Sequence, residues 1–262
     1  MARAGSDRVA STLAMQLGAQ LYTIRRELSS DLLPTLKLLR GFGYRYVELA
    51  GTNGHTVSKY QKALDKAELQ PVSMHYQLAL DGSNLKGCLA EAKAFGVKYI
   101  VLPWIPKEEY ESGWPQVGER LTGLGEKIQA AGYTFCYHHH AFEFELEANG
   151  EIGLDNMFEA ANPDFVKAEM DTYWIEYAGF DATSEMRKRK GRLPLLHIKD
   201  MKNIEEKGFC APGTGVLSWP AIVFTAYEAG VRYAFVEIDE PENGVHDLAV
   251  GLEKMMDLRL TP

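Results

Sequence analysis

The chain has 262 residues, of which 46% are hydrophobic and 24% charged, with a net charge of −8 at pH 7. These values are typical of a globular protein and argue against a nucleic-acid partner, because such proteins usually expose a basic surface. The three cysteines, Cys88, Cys136 and Cys210, form no CxxC pair and predict free thiols in a reducing compartment. No apolar run reaches the roughly 20 residues that cross a bilayer. We therefore expect no membrane partner and predict a cytoplasmic protein.

One sequence pattern recurs along the chain: an apolar segment with helical period, a glycine, and a short run of aromatic and β-branched residues. It is found in LLPTLKLLRGFGYRYVEL, CLAEAKAFGVKYIVL, RLTGLGEKIQAAGYTFCYH and AIVFTAYEAGVRYAFVE. The glycines, Gly43, Gly96, Gly132 and Gly230, are predicted to end helices because glycine adopts the left-handed conformation without steric penalty. The continuous apolar runs that follow are typical of parallel strands covered on both faces.

Extending this pattern predicts eight strands. They are, in chain order, Leu17–Tyr22, Tyr46–Leu49, Pro71–His75, Tyr99–Leu102, Thr134–His138, Val166–Asp171, Leu193–His197 and Tyr233–Glu237. Eight strand–helix units in about 250 residues predict an α/β fold, a (β/α)8 TIM barrel. A doubly wound open sheet is the alternative, but LYTIRRE after the first strand is not its Gly-rich phosphate loop. We expect a flexible N-terminal extension over residues 1–14 and a single barrel domain over 15–262.

Polar side chains end or follow six of the predicted strands. They are Glu48 after the second strand, His75 after the third, His138, His140 and Glu143 after the fifth, Asp171 after the sixth, His197, Lys199 and Asp200 after the seventh, and Glu237 and Asp239 after the eighth. Barrel enzymes build their active sites at the carboxyl ends of the strands. The pattern therefore predicts one site at that rim.

Five segments, HHHAFEFE, MDTYWIEYAG, GRLPLLHIKD, APGTGVLSW and FVEID, resemble in this order the xylose isomerase-like sugar phosphate isomerase/epimerase superfamily. This TIM-barrel group includes ketose 3-epimerases and inosose dehydratase. The resemblance runs from LGAQLYTIR to VEIDEP, and its motifs identify the superfamily better than the activity. In the epimerase branch, one divalent ion is held by Glu, Asp, His and Glu. The resemblance places these ligands at Glu143, Asp171, His197 and Glu237, a donor set that suits Mn²⁺, Mg²⁺ or Co²⁺, with Zn²⁺ as an alternative.

The resemblance also implies a mechanism. The two metal-bound glutamates, Glu143 and Glu237, would be catalytic, one removing a carbon-bound proton and the other returning one through a metal-stabilised enediolate. This predicts an isomerase or epimerase that acts on a keto-sugar or related polyol. One departure matters: Trp174 stands where the epimerase branch has a histidine. The same pattern resembles members that act on inosose or 3-keto-glycosides, so a dehydratase or lyase stays open. A non-catalytic sugar-binding barrel is a further alternative.

We expect the remaining rim residues to contact the substrate, a small carbohydrate. The predicted substrate-binding residues are Arg25, Glu48, His75, Trp104, His138, His140, Trp174, Lys199 and Asp239. Alternation along a strand sends His138 and His140 to one side, whereas His139 is expected to pack outward against a helix. Whether the chain forms a homo-oligomer stays open.

Overall fold

A closed barrel of eight parallel strands is the central feature of the computed structural model, which describes residues 15–147 and 150–258. The first strand closes the barrel by pairing with the last, so that Gln16 lies beside Tyr233 and Ala19 beside Val236. The barrel strands are Gln16–Gln20, Tyr46–Ala50, Gln70–His75, Tyr99–Leu102, Thr134–His138, Lys167–Asp171, Leu195–Ile198 and Tyr233–Val236. The predicted TIM barrel is confirmed as a single α/β domain. The predicted extension over residues 1–14 lies outside the described residues.

Helices cover the outside of the barrel. The α-helices are Arg25–Ser30, Leu32–Phe42, Val57–Ala67, Leu85–Phe95, Lys107–Tyr110, Trp114–Ala130, Gly153–Ala160, Thr172–Tyr177, Ala182–Lys188, Trp219–Ala229 and Gly244–Asp257, with 3-10 turns at Leu21–Ile24 and Phe142–Phe144. All four predicted glycines lie just after a helix and have positive φ values, from 68° at Gly96 to 123° at Gly43. Among the described helices, none has both the length and the apolar composition to cross a membrane.

Several strand boundaries differ from the prediction by one or two residues, and two of these differences have a local cause. The first strand ends at Gln20, because the Gln20 side chain accepts the backbone N–H of Tyr22 and starts a 3-10 turn. The seventh strand begins after Pro194, which has no N–H to donate to the ladder. A hairpin of two-residue strands, Asp200–Met201 and Phe209–Cys210, was not predicted because segments this short carry no periodic signal.

The barrel interior changes from apolar to polar along its axis. An apolar cluster fills the part nearer the amino ends of the strands and contains Val72, Tyr99, Val101, Cys136, Leu195 and Phe235. Side chains two residues further along several of these strands are buried and polar, as in the step from Leu195 to His197 and from Phe235 to Glu237. Burying ionisable groups is costly unless they pair or bind a cation, so this layer is where a functional site is expected.

Candidate metal and substrate site

Strand register brings three predicted metal ligands together. Asp171 lies beside His197 in the sheet, and His197 lies beside Phe235, two residues before Glu237. The Nδ1 atom of His197 is 2.7 Å from Glu237 Oε2 and 3.7 Å from Asp171 Oδ2. We call these three residues the acidic set; each offers one ligand atom, and the three atoms all lie within 4.8 Å of one another.

The donor atoms of the acidic set fit a divalent cation. In the part of the chain that the structure describes, Asp171 Oδ2, His197 Nδ1 and Glu237 Oε2 are all buried. None makes a contact with hydrogen-bond geometry, although Lys199 Nζ lies within 3.0 Å of both carboxylate oxygens. Although His197 Nδ1 and Glu237 Oε2 are close, their contact lacks hydrogen-bond geometry. Buried polar atoms that converge without hydrogen bonds are rare in proteins and call for an explanation. Two carboxylate oxygens and one imidazole nitrogen are ligands that suit Mn²⁺, Mg²⁺, Co²⁺ or Zn²⁺.

Lys199 lies beside the same carboxylates. Its Nζ atom is 3.0 Å from Asp171 Oδ2, 2.9 Å from Glu237 Oε2 and 2.7 Å from Asp239 Oδ1. Burial lowers the pKa of Lys199, but the charges of Asp171 and Asp239 outweigh it and raise this pKa well above its usual value. Burial raises the pKa of Glu237, yet the charges of Lys199 and His197 outweigh it, so the pKa is lowered and Glu237 is ionised at neutral pH. Burial raises the pKa of Asp171 to about 6.

The structure does not bring Glu143, the fourth predicted ligand, into the acidic set. Its Oε1 atom accepts a hydrogen bond from the Tyr137 hydroxyl at 2.7 Å, and its Oε2 atom accepts the His140 N–H at 2.9 Å. Tyr137 precedes His138 on the fifth strand and therefore points away from the barrel interior. The 3-10 turn Phe142–Phe144 carries Glu143 back onto this outer side. Burial raises the pKa of Glu143 to about 7.

The fifth strand contributes His138 to the interior instead. His138 is buried, with Nε2 3.9 Å from Asp171 Oδ2 and Nδ1 3.4 Å from Glu169 Oε2. The neighbouring His139 faces Phe144, and its Nε2 atom accepts the backbone N–H of Asp171 at 3.0 Å. Burial lowers the pKa of His139 to about 3, so the ring is neutral. His139 therefore holds the backbone at Asp171 in place.

A second cluster lies on the other side of the His197 ring. Glu169 Oε2 is 2.8 Å from His75 Nε2, 3.2 Å from His197 Nε2 and 3.4 Å from His138 Nδ1. We call His75, His138, Glu169 and His197 the imidazole set. Glu169 was not among the predicted site residues, although its spacing of two residues from Asp171 puts both side chains on the same face of the strand. That alternation in AEMD was the available signal.

Glu48, predicted to bind substrate, lies behind these ligands. Its carboxylate accepts hydrogen bonds from Gln20 Nε2 at 2.6 Å and from the Ser73 hydroxyl, and it lies 2.7 Å from His197 Nε2. The residue is fully buried and is not among those that line the pocket. Glu48 is thus placed to orient His197 and not to contact a ligand directly.

A pocket of about 550 Å³ opens above both sets. All the predicted substrate-binding residues except Glu48 line it, together with Glu237 and several residues that the sequence did not indicate, which include Tyr22, Gln77, Phe209 and Glu240. Trp104 is 45% exposed. Both Trp174 and His140 line the pocket, and their Nε1 and Nδ1 atoms are buried without a hydrogen-bond partner among the described residues.

Arg25, which was expected to contact the substrate, also bonds to backbone carbonyl groups. Its guanidinium donates to the carbonyl oxygens of Tyr22 at 2.7 Å and Asp239 at 3.1 Å, and it stacks over the Tyr22 ring. These bonds join the ends of the first and eighth strands. Arg25 therefore shapes the pocket wall, with two of its guanidinium N–H groups bonded to backbone carbonyls.

A model of the xylose isomerase-like TIM barrel family matches residues 36–255. The chain belongs to this family. Its resemblance to sugar phosphate isomerases and epimerases, predicted from the sequence, is confirmed. One similar structure is a sugar phosphate isomerase/epimerase of Parabacteroides distasonis, with 26% sequence identity and a TM-score of 0.73, covering 92% of this chain and 94% of that one.

Other members of the family carry different activities. An inosose dehydratase of Clostridium perfringens is 27% identical over 127 residues, which is 48% of this chain and 39% of the dehydratase. The chain spans about half the length, or less, of the curated relatives it matches. The structure of the IOLI protein with a zinc atom has 19% identity and a TM-score of 0.70, covers 93% of this chain and 98% of that one, and shows the shared fold alone. These relatives are sugar-processing enzymes, but they do not agree on isomerisation or dehydration.

Proposed function

We propose that this protein is a divalent-metal-dependent lyase that eliminates water or a glycosidic leaving group from a cyclic keto-sugar or keto-polyol. One observation carries the choice of elimination. Of the two glutamates expected to flank the substrate, Glu237 lines the pocket, whereas Glu143 is buried behind the fifth strand with both oxygens hydrogen-bonded. The site thus has its proton-accepting glutamate on the eighth strand alone.

The acidic set would hold the metal. Asp171, His197 and Glu237 supply the ligand atoms, and the bound ion would act as a Lewis acid that acidifies the hydrogen next to the substrate carbonyl. His139 fixes the backbone of Asp171, and Glu48 fixes the ring of His197. Such supporting contacts orient metal ligands and strengthen binding.

Glu237 is the proposed proton acceptor. Its carboxylate is ionised at neutral pH because Lys199 and His197 stabilise the charge, so it can accept a proton but is a weak base. In the reaction, Glu237 removes the hydrogen from the carbon beside the carbonyl. The electron pair of that C–H bond then forms a C=C bond as the β C–O bond breaks, and the leaving oxygen takes up the proton that Glu237 accepted, which restores the carboxylate. Lys199 keeps the carboxylate charges balanced through this step.

The pocket walls suit a polyhydroxylated ring. Trp104 and Trp174 offer aromatic faces, against which the apolar face of a sugar packs. Trp174 Nε1 offers an unpaired donor, and burial lowers the pKa of His140, which keeps that imidazole neutral and leaves its Nδ1 free to bond a hydroxyl group. The named dehydratase relative supports the same substrate class.

Isomerisation or epimerisation is the second candidate. The similarity to the Parabacteroides distasonis isomerase/epimerase favours it, because that similarity extends over 92% of this chain. This reaction needs a group that returns a proton to the substrate carbon, and with Glu143 outside the pocket, another residue of the lining, such as His140 or Lys199, would have to supply it. Burial lowers the pKa of His140, so the protonated ring that could donate is scarce at neutral pH.

A substrate panel in deuterated water tests the proposal. Metal-loaded protein is incubated with inososes, 3-keto-glycosides and ketohexoses, and the products are followed by NMR and mass spectrometry. We expect an unsaturated ketone with release of water or of the aglycone. Deuterium incorporation without loss of a group would support the isomerase or epimerase instead. No turnover and no exchange, with a ligand nevertheless bound, would indicate a non-catalytic sugar-binding barrel.

A further inference from the structure

The imidazole set has the composition of a metal site of a different kind from the acidic set. It combines three imidazoles and one carboxylate, contributed by the third, fifth, sixth and seventh strands. His138, Glu169 and His197 are buried to 2% exposure or less, and the His75 side chain is 12% exposed. Each residue offers one ligand atom, and all four atoms lie within 4.8 Å of one another.

The spacing of the ligand atoms matches a tetrahedral ion. A tetrahedral zinc site with bonds of about 2.1 Å separates its ligand atoms by roughly 3.4 Å. Glu169 Oε2 lies 2.8, 3.2 and 3.4 Å from the ligand nitrogens of His75, His197 and His138. Small adjustments of these side chains would therefore create the ligand polyhedron without movement of the strands.

Two polar atoms of this set lack partners among the residues that the structure describes. His138 Nδ1 and Glu169 Oε1 are buried and have no hydrogen bond. An unpaired nitrogen on a ring that is 2% exposed is costly, and a cation would satisfy it. The site is also reachable, because His75 and His138 both line the pocket.

We infer that the imidazole set is a second cation site, which binds a borderline divalent ion such as Zn²⁺ or Co²⁺. Three nitrogen ligands and one oxygen favour these ions over Mg²⁺ or Mn²⁺, which prefer oxygen. The ring of His197 lies between the two sets, with Nε2 facing the imidazole set and Nδ1 facing the acidic set. An ion in the imidazole set would replace the contact between His197 Nε2 and Glu48, which measures 2.7 Å in this structure, and two ions bound together would share the His197 ring.

Protons bound to the histidines would compete with a metal ion for the imidazole set. Burial lowers the pKa of His75, but the charges of Glu48 and Glu169 outweigh it and raise this pKa to about 9. Two imidazolium rings, His75 and His197, would balance the two carboxylates Glu48 and Glu169 without any metal. The inference therefore needs a direct count of bound ions, since activity alone would not separate the two explanations.

The test is a Co²⁺ titration of the chelator-treated full-length protein, followed by metal analysis and visible absorption, which is intense for tetrahedral Co²⁺. Glu169→Gln removes a ligand of the imidazole set only, and Asp171→Asn, two residues along the same strand, removes a ligand of the acidic set only. His75→Asn is a second variant of the imidazole set at a partly exposed position. Circular dichroism verifies that each variant is folded.

We expect two Co²⁺ ions per wild-type chain and one in each variant, with the tetrahedral absorption lost in Glu169→Gln and His75→Asn but kept in Asp171→Asn. If Glu169→Gln and His75→Asn bind as much Co²⁺ as wild type with the same spectrum, the imidazole set holds protons and the inference fails. If wild type and Asp171→Asn each bind one Co²⁺ ion while Glu169→Gln and His75→Asn bind none, the imidazole set is a metal site. The acidic set then holds no metal, and its assignment as the catalytic metal site fails.

Discussion

Glu143 accepts a hydrogen bond from the Tyr137 hydroxyl, 2.7 Å away, and this contact places it on the outer side of the fifth strand. Both Glu143 oxygens are hydrogen-bonded there, outside the acidic set, and our proposal therefore gives the proton-accepting role to Glu237. The role of Glu143 can be separated from that of Glu237 by experiments that do not depend on knowing the substrate.

Glu143→Gln should change how stability depends on pH. The folded protein holds the Glu143 proton up to about pH 7, whereas the usual pKa is 4.5. Because the folded state binds this proton more tightly, its stabilisation is full below the unfolded pKa and is lost as the pH rises through about 7. Relative to wild type, the variant should gain up to about 3 kcal/mol in free energy of unfolding across this range.

The measurement is urea unfolding of the metal-free proteins from acidic to mildly alkaline pH. Glu145→Gln, at an exposed neighbouring position, is the control and should follow wild type at every pH. A constant difference between Glu143→Gln and wild type at all pH values would show that the Glu143 pKa is not raised.

Lys199→Met should destabilise the metal-free protein strongly. The ammonium group lies within 3.0 Å of three buried or nearly buried carboxylates, and its removal leaves their charges uncompensated. Breaking a buried ion pair costs about 3–5 kcal/mol. Thermal unfolding should show a lower midpoint, and a divalent cation bound at Asp171 and Glu237 should recover part of the loss.

Lys188→Met is the matched control for Lys199→Met. Lys188 also pairs with two carboxylates, those of Asp155 and Glu185, but its side chain is 45% exposed. Exposed pairs contribute about 0–1 kcal/mol, so the midpoint should hardly move. Equal losses in the two variants would mean that Lys199 is not specially placed.

Asp200→Asn should loosen the segment before the eighth strand. Asp200 Oδ2 accepts the N–H groups of Gly213 and Gly215 and the indole N–H of Trp219, at 2.8–3.0 Å, and Oδ1 accepts the N–H groups of Met201 and Leu217. An amide cannot accept at both ends of the side chain, and each unsatisfied buried donor costs about 1–3 kcal/mol. Hydrogen exchange should become faster at residues 211–217. Asp181→Asn, a helix cap that asparagine also provides, should leave exchange unchanged there.

Trp174→Phe should weaken substrate binding without changing the fold. The substitution keeps an aromatic face and removes the Nε1–H group that has no partner among the described residues. A hydrogen bond contributes about 0.5–1.5 kcal/mol, which corresponds to a KM increase of roughly threefold to tenfold. Steady-state kinetics and the melting temperature are compared. An unchanged KM would show that the indole N–H does not bond the substrate.

Much of the fold was predictable because local signals agreed with the global arrangement. Gly96 and Gly230 mark helix ends, and the apolar runs after them became buried parallel strands. Asp171, His197 and Glu237 could be placed at one site because parallel strands bring their carboxyl ends to one rim. These are consequences of periodicity and topology, which a sequence displays directly.

The positions of Glu143 and Glu48 depend on tertiary contacts. The direction of the chain after His138 depends on the Tyr137 hydroxyl and on a 3-10 turn, neither of which periodicity reveals. Glu169 differs, since its alternation with Asp171 was visible in the sequence. The depth of Glu48 depends on its bonds to Gln20 and Ser73, residues far from it in the chain.

The central claim is that Glu237, and not Glu143, removes the substrate proton beside a metal held by Asp171 and His197. The most direct test compares Glu237→Gln with Glu143→Gln, both folded and metal-loaded, on the substrate identified by the panel in deuterated water. The account predicts that Glu237→Gln loses product formation and deuterium exchange by about 10²–10⁴-fold, while Glu143→Gln stays close to wild type. Loss of both reactions in Glu143→Gln, with Glu237→Gln still active, would contradict it.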